Sequence, residues 1–470
     1  MKLKSFLISK SANTQAFFNI LGPLIMNGVN FFTLPVFTRL LGTQNYGVLA
    51  IYTTWTQVFS VIIGLQTGNT ISAASIYIAK EENKKYLSSI MSLSICSFFL
   101  IMAIVGIFME PISNFMGFSR MIVWLLLLQS FGTFCVQFAT AKFVFFREGL
   151  RTFLLSTGTT LITVLLSLLL ILNIDDYNNR YLGKIYGMAI PYLIIGIGIV
   201  LVVLLRGRTL FNWKYWKFCL PISIPFIFNG LSSLVLTQCD KLMLQHFTND
   251  SIVGIYSFSF TFSHVVNILL NAVNNTWMPF YFEYAASGDI DVLRKRTKNC
   301  ISVFSIISMG FILLSPEVIQ IFASKDFWSG IDLIPVLVLA MYMIFLYNFP
   351  VNYQIYHKKT VTVALGTVAA AACNIGLNLA LIPRYGMYGA AVATLISYVL
   401  LFLFHEVIAK YCIVKGYQYS MKTFLPGILS LLICTGVFYF CKELWWIRWG
   451  LGAILGFVLL YRLRKQKSIF

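Results

Sequence analysis

Apolar residues run in long stretches along almost the whole chain, separated by short polar or charged connections. A transmembrane α-helix needs about 20 predominantly apolar residues, and fourteen stretches have that character. We therefore predict an all-α, polytopic membrane protein with 14 transmembrane helices. The predicted spans are 12–38, 45–68, 86–109, 121–141, 152–173, 185–205, 219–240, 252–278, 299–323, 331–356, 361–382, 388–409, 423–441 and 445–461.

The connections between the spans leave no room for a soluble catalytic domain. The two longest cover roughly residues 69–85 and 279–298, and they fall at corresponding places in the two halves of the chain. We therefore expect the protein to act inside the membrane. No phosphate-binding loop and no cluster of catalytic or metal-binding residues stands out, so the sequence predicts neither a catalytic centre nor a metal site.

The composition adds a strong positive charge, and its distribution indicates topology. The chain is 59% hydrophobic and only 11% charged, with 35 Lys and Arg against 16 Asp and Glu. Most of the basic residues lie at the two termini and in the even-numbered connections, so the positive-inside rule places both termini in the cytoplasm. We interpret the charge as a topology signal and a contact surface for anionic lipid, not as a nucleic-acid site.

The chain repeats itself at an offset of about 202 residues. The segment PLIMNG at 23–28 recurs as PFIFNG at 225–230, Arg39 aligns with Lys241, and YGMA at 186–189 recurs as YGAA at 388–391. After a short insertion, Gly47 aligns with Gly254 at an offset of 207. Each repeat holds six spans, an even number, so the two repeats are parallel. This predicts an N-terminal lobe (1–215, helices 1–6), a C-terminal lobe (216–410, helices 7–12) and two extra helices with a basic cytoplasmic tail (411–470).

Polar residues recur at helical spacing on spans that should face lipid. His264, Asn267, Asn271 and Asn274 share one face of span 8, and Gln57, Ser60 and Thr67 occupy the aligned positions in span 2. Asn27 and Asn30 in span 1 and Asn229 in span 7 lie close to proline breaks. Such faces must meet protein or water. They indicate either helix–helix hydrogen bonds or a hydrated cavity suited to hydroxyl-rich ligands, and both readings stay open.

Three charged residues fall at the outer ends of spans 1 and 7: Arg39, Asp240 and Lys241. They are candidates for interfacial anchors or a gating ion pair. The alternative roles are contact with a phosphate or transfer of a coupling proton. His264 lies well inside span 8, where it is either a neutral hydrogen-bonding group or a proton relay.

Three short motifs then resemble a known family. They are TRLLGTQNYG at 38–47, DK at 240–241 followed by VGIY at 253–256, and IPRYGMYGAA at 382–391. In order and spacing they resemble the polysaccharide-repeat-unit flippases of the multidrug/oligosaccharidyl-lipid/polysaccharide exporter superfamily. The resemblance implies a MATE-like arrangement that flips undecaprenyl-diphosphate-linked oligosaccharides across the bacterial cytoplasmic (inner) membrane by alternating access. The products would be O-antigen of lipopolysaccharide, capsule or exopolysaccharide.

The resemblance also implies no cofactor, a proton or sodium gradient as driving force, and membrane lipids and a polysaccharide polymerase as partners. Two alternatives remain. A cation-coupled multidrug antiporter of the same superfamily would be expected to carry a buried carboxylate in its first half, and spans 1–6 show none deep within them. A membrane glycosyltransferase or polymerase would be expected to carry a sizeable outer loop with catalytic residues.

Overall fold

The described part of the chain is helical throughout. The structure is a computed structural model that describes residues 12–413, 417 and 419–465, and within those ranges it contains no β-strand. In the first half the helices are α1 Ala12–Gly64, α2 Ile71–Tyr77, α3 Asn83–Ile107, α4 Met109–Met116, α5 Arg120–Phe145, α6 Gly149–Leu172 and α7 Arg180–Gly207. In the second half they are α8 Trp213–Phe247, α9 Asp250–Ser287, α10 Ile290–Phe322, α11 Ile334–Tyr356, α12 Thr360–Val407, α13 Met421–Phe440 and α14 Trp445–Lys465. Short 3₁₀ turns occupy several connections.

The predicted all-α polytopic class is confirmed. Among the described residues, 11 helices are long and apolar enough to cross a membrane. Two of them contain candidate spans of 44 and 53 residues, far beyond the length of a single crossing. Each of the fourteen predicted spans falls largely within a helix. Many outward side chains are large and apolar, such as Ile194, Leu205 and Phe440, as expected where lipid is the solvent.

The two longest helices each hold two predicted spans because a single glycine breaks them. Gly42 divides α1 with φ 65° and ψ −177°, and Gly386 divides α12 with φ 53° and ψ −131°. Both conformations lie in a region that residues with a Cβ rarely adopt. The sequence predicts loops of several residues at these places, whereas the backbone leaves the helix at one residue.

Packing divides the chain into two compact units. Of the described residues, the first unit comprises those up to 41 and those from 48 to 234, and the second comprises those from 42 to 47 and those from 235 onward. In the first unit α7 packs against α3, α5 and α6. In the second unit α11 packs against both α9 and α12, while α10 supports α13 and α14.

Two glycines aligned by the repeat each lie against the helical segment that precedes them, although at different positions along it. In the first unit a Cβ on Gly187 of α7 would lie 2.4 Å from the Ser167 Cα of α6. In the second unit a Cβ on Gly389 would lie 2.5 Å from the carbonyl oxygen of Leu381, which precedes the break in α12. Each glycine therefore lets the last helix of its repeat approach the preceding helix backbone closely.

The two extra helices belong to the second unit, where both pack on α10. A partly buried ion pair joins the last of them to α10. Arg448 Nη1 donates to Glu317 Oε2 at 2.9 Å and to the carbonyl of Leu313 at 2.8 Å, while its Nη2 lies 2.5 Å from Glu317 Oε1. The Arg448 side chain is 3% exposed and that of Glu317 is 24% exposed.

Candidate functional site

A buried carboxylate is the centre of the polar cluster in the second unit. Asp240 lies on α8 and is 1% exposed. Its Oδ2 accepts hydrogen bonds from the Tyr256 hydroxyl of α9 and, at 3.5 Å, from the Thr394 hydroxyl of α12. Its Oδ1 accepts from the backbone N–H of Lys241 at 3.0 Å. Three helices thus converge on one carboxyl group, and Tyr398 of α12 donates to the Leu236 carbonyl one turn earlier on α8.

The neighbouring cation is buried as well but is held by different groups. Lys241 is 7% exposed. Its Nζ donates to Gln238 Oε1 at 2.6 Å and lies 5.2 Å from the centre of the Phe260 ring. The ring of His264 stacks on Phe260 at 6.1 Å between centroids, and Lys241 lies within electrostatic range of His264. The structure therefore brings together Asp240, Lys241 and His264, three of the residues predicted from the sequence.

The polar face of α9 continues away from this cluster in helix–helix contacts. Asn267 is buried and directs its Nδ2 to Met341 Sδ of α11 at 3.5 Å. Asn274 is half-buried and accepts from Asn352 Nδ2 of α11 at 3.0 Å. The side chain of Asn271 lies outside the described residues.

The aligned face in the first unit is more deeply packed. Gln57 is half-buried, while Ser60 and Thr67 are buried. Ser60 borders a small cavity of about 50 Å³ together with Gln66 and Gln137. Thr67 lies 3.1 Å from the Ser94 hydroxyl of α3 and donates to the Gly64 carbonyl, so its hydroxyl serves the packing of the first unit.

The remaining candidates lie nearer the surface. Asn27 is half-buried, and Asn30, Asn229 and Arg39 are exposed. Their roles in a cavity or gate stay predictions. Arg39 and Asp240 thus differ sharply in environment, although the sequence places both at the outer ends of their spans.

Sequence reasoning identified Asp240 but missed the groups that hold it. Tyr256 is 16 residues away and Thr394 is 154 residues away along the chain. Tyr and Thr are common in membrane spans, so no local pattern marks these two. The segment VGIY at 253–256, noted only as a motif, contains Tyr256 and was the available signal.

The chemistry available at Asp240 is that of an enclosed acid. A charged group in a low-dielectric interior is costly unless it is compensated, and ionisable groups inside membrane spans commonly mark ion or proton pathways. Lys241, the neighbouring buried cation, lies within electrostatic range of this carboxyl and offsets its charge in part. Protonation of the carboxyl, or a further cation beside it, would also compensate the charge. Within the described residues, no group of three or more His, Cys, Asp or Glu side chains is placed to hold a metal ion.

Comparisons with known proteins agree with this architecture. A lipid II flippase, MurJ, in an inward closed conformation superposes with a TM-score of 0.71 at 17% identity, over 95% of this chain and 100% of that one. An inward-facing multidrug resistance MATE transporter of the MOP superfamily gives a TM-score of 0.54 at 11% identity, over 84% and 98%. An uncharacterized membrane protein of Haemophilus influenzae is 20% identical over 376 residues, 76% of this chain and 87% of its own.

These likenesses to solved structures establish the fold: a polytopic helical architecture shared with MurJ and the MATE transporters. The family is established separately, by sequence. The sequence pattern of the polysaccharide biosynthesis protein family matches residues 14–285, more than half of the chain. The chain therefore belongs to the polysaccharide biosynthesis protein family.

Proposed function

We propose that this protein is a flippase that moves undecaprenyl-diphosphate-linked oligosaccharide repeat units across the bacterial cytoplasmic membrane by alternating access. The observation that carries the proposal is the family match combined with a fold like that of a lipid II flippase over essentially both whole chains. The product would feed a surface polysaccharide such as O-antigen, capsule or exopolysaccharide. A polysaccharide polymerase would be the next partner, and both termini would face the cytoplasm.

The organisation of the chain supports transport over an enzymatic role. The helices follow one another with short connections, so the described residues include no soluble domain in which catalysis could be housed. A glycan attached to a lipid carrier needs a protected polar path for its sugars and diphosphate, while its hydrocarbon chain can stay in the bilayer. Our candidates for contact with such a path are, in the first unit, Asn27, Asn30, Gln57 and Asn229 and, in the second unit, His264. Asn267 and Asn274 serve helix–helix contacts instead.

We further propose that transport is driven by a proton or sodium gradient through Asp240. Burial of this carboxylate, with hydroxyl donors from two other helices, supports the proposal. Occupation of the site by a proton or a cation would change the electrostatic balance between α8, α9 and α12. A ligand can shift a conformational equilibrium only through such a difference in free energy between states.

The flippase proposal is tested by measuring transfer of a lipid-linked oligosaccharide between the two leaflets of a bilayer. Purified protein would be reconstituted into liposomes that contain a fluorescent undecaprenyl-diphosphate-linked oligosaccharide, and a membrane-impermeant quencher would report the fraction in the outer leaflet. We expect faster transfer with the protein than without it, and no acceleration for a fluorescent phospholipid. Export of a cationic dye from the same liposomes, with no transfer of the lipid-linked sugar, would favour the multidrug antiporter and overturn the flippase proposal.

A further inference from the structure

A large basic pocket lies in the first unit, and none of the residues of the Asp240 cluster lines it. It has a volume of about 840 Å³. Its walls come from four places in the sequence: α2, the segment from Lys80 into the start of α3, the turn between α5 and α6, and the end of α7. Six basic residues line it: Lys80, Lys84, Lys142, Arg147, Arg151 and Arg206.

Close backbone packing holds two of these walls together. A Cβ on Gly207 would lie 2.2 Å from the carbonyl oxygen of Lys84 and 2.3 Å from Ser88 Cβ. The end of α7 therefore meets the start of α3 with no side chain between them, which brings Arg206 close to Lys84. The turn at 146–148 is equally compact, since Glu148 N–H bonds to the Phe143 carbonyl at 2.7 Å.

The charges of this pocket are poorly balanced by the protein. The lining includes one carboxylate, Glu148, which pairs with Arg151 at 2.7 Å. Lys142, half-buried, lies within electrostatic range of Arg151 and Arg206 as well as Glu148. The other five cations are exposed, so their mutual repulsion is partly screened by water, and an anion among the six would relieve what remains.

The position and the apolar lining indicate what kind of anion fits. Candidate membrane spans begin at Lys80 and Gly149 and end at Phe145 and Gly207, so the pocket lies where four spans meet the membrane boundary. Lipid head groups occupy that level. Beside the cations the lining includes four apolar residues, Leu87, Phe145, Phe146 and Val203, which would contact the first carbons of a lipid chain.

We propose that this pocket binds the phosphate-bearing head group of an anionic lipid in the leaflet that the sequence assigns to the cytoplasmic side. Arg and Lys are the side chains that recognise phosphate oxygens, Arg in a bidentate manner, and basic pockets between membrane helices are suited to such head groups. The phosphate has two conceivable sources, the bilayer's own phospholipid or the diphosphate of a lipid-linked sugar. The inference goes beyond the proposed transport and does not require it.

Titration calorimetry on the purified full chain in a non-ionic detergent tests the proposal. The probes are short-chain phosphatidylglycerol, geranyl diphosphate, inorganic pyrophosphate and, as the zwitterionic control, short-chain phosphatidylcholine. The test variant is Lys84→Gln/Arg206→Gln. The matched control is Arg294→Gln/Lys295→Gln, which removes the same charge from exposed positions on α10, outside the pocket.

We expect at least one phosphate-bearing lipid to bind, and the pocket variant to weaken it about tenfold or more because charge-assisted contacts are lost. The control variant should bind within about twofold of the wild type, since Arg294 and Lys295 do not line the pocket. Binding of geranyl diphosphate alone identifies the carrier diphosphate as the source, and binding of phosphatidylglycerol alone identifies the bilayer.

Three results would overturn the proposal: no binding of either lipid, equal weakening in the pocket and control variants, or inorganic pyrophosphate binding as tightly as geranyl diphosphate. The last result would mean that the pocket holds a free anion and not a lipid. Should the first variant fail to purify, Lys80→Gln/Arg151→Gln removes two other cations of the same pocket. Because the readout is binding, its failure is distinct from a failure of leaflet transfer.

Discussion

Gly47 and Gly254, aligned by the internal repeat, lie against each other in the second unit. A Cβ on Gly254 would come 2.0 Å from the Thr43 carbonyl oxygen and 3.1 Å from Gly47 N. A Cβ on Gly47 would come 1.8 Å from the Asp250 carbonyl oxygen and 3.0 Å from Gly254 N. Two backbones thus cross at residues that occupy equivalent places in the two halves of the sequence.

This crossing predicts that Gly254→Ala destabilises the protein. The atoms that the new methyl group would meet are backbone atoms, which cannot rotate away, so the segments must separate. We expect the melting midpoint in detergent to fall by several degrees. Gly376→Ala is the control, because a Cβ there meets nothing within 4 Å. Equal midpoints for the two variants would show that the crossing is loose in solution.

Asp240→Asn tests the proposed coupling site. The amide keeps the size of the carboxyl group and one acceptor oxygen for Tyr256 but cannot carry the charge. We expect the variant to fold and to bind the lipid-linked oligosaccharide, while gradient-driven transfer in liposomes falls about tenfold or more, as for loss of an essential ionisable group. Asp175→Asn, at an exposed position, is the control. Wild-type gradient dependence in Asp240→Asn would exclude this residue as the coupling group.

Because Arg448 is more deeply buried than Glu317, we expect substitutions of the two residues to lower the stability by different amounts. Glu317→Gln leaves the deeply buried guanidinium without its counter-charge and should cost about 3–5 kcal/mol in stability. Arg448→Met should cost less, because Glu317 has some access to solvent. The double variant should recover part of the loss, since no lone buried charge remains. Unfolding midpoints of all four proteins in one detergent give the answer, and strictly additive losses would show that the pair does not couple α14 to α10.

Cysteine labelling in the turn between α6 and α7 tests the topology, and the structure indicates which residue of that turn to replace. Asp176 accepts hydrogen bonds from the Asn178 N–H at 3.0 Å and from Asn179 Nδ2 at 2.7 Å, so its replacement would disturb the turn. Asp175, exposed beside it, is the better site. With the exposed Cys96, Cys373 and Cys412 replaced by Ser, Asp175→Cys should react with an impermeant maleimide in intact cells. Lys84→Cys should react only after permeabilisation, and the reverse pattern would invert the topology.

The sequence was sufficient for the helices because lipid imposes one simple rule, about 20 apolar residues for each crossing. At Gly42 and Gly386 the predicted loops were wrong. The breaks there depend on the backbone angles of a single residue, and apolar content does not report such angles. The candidate site was only partly accessible. A charged residue in a span is visible, so Asp240 could be found, but its partners come from helices that only the fold brings together. The basic pocket could not be predicted for the same reason. The distribution of Lys and Arg indicated which connections face the cytoplasm, but not that six of these cations line one cavity.

Gly187 and Gly389, aligned at one offset, are each held against a neighbouring backbone, so close packing constrains these two positions more strictly than apolar character does. After a duplication, most positions are free to drift as long as they stay apolar, so identity between the halves fades. A helix crossing that admits no side chain cannot drift in this way, and each copy must retain its glycine independently. Glycines shared at one offset are therefore expected to persist longer than most apolar positions, and they offer a way to look for doubled membrane proteins whose halves no longer align.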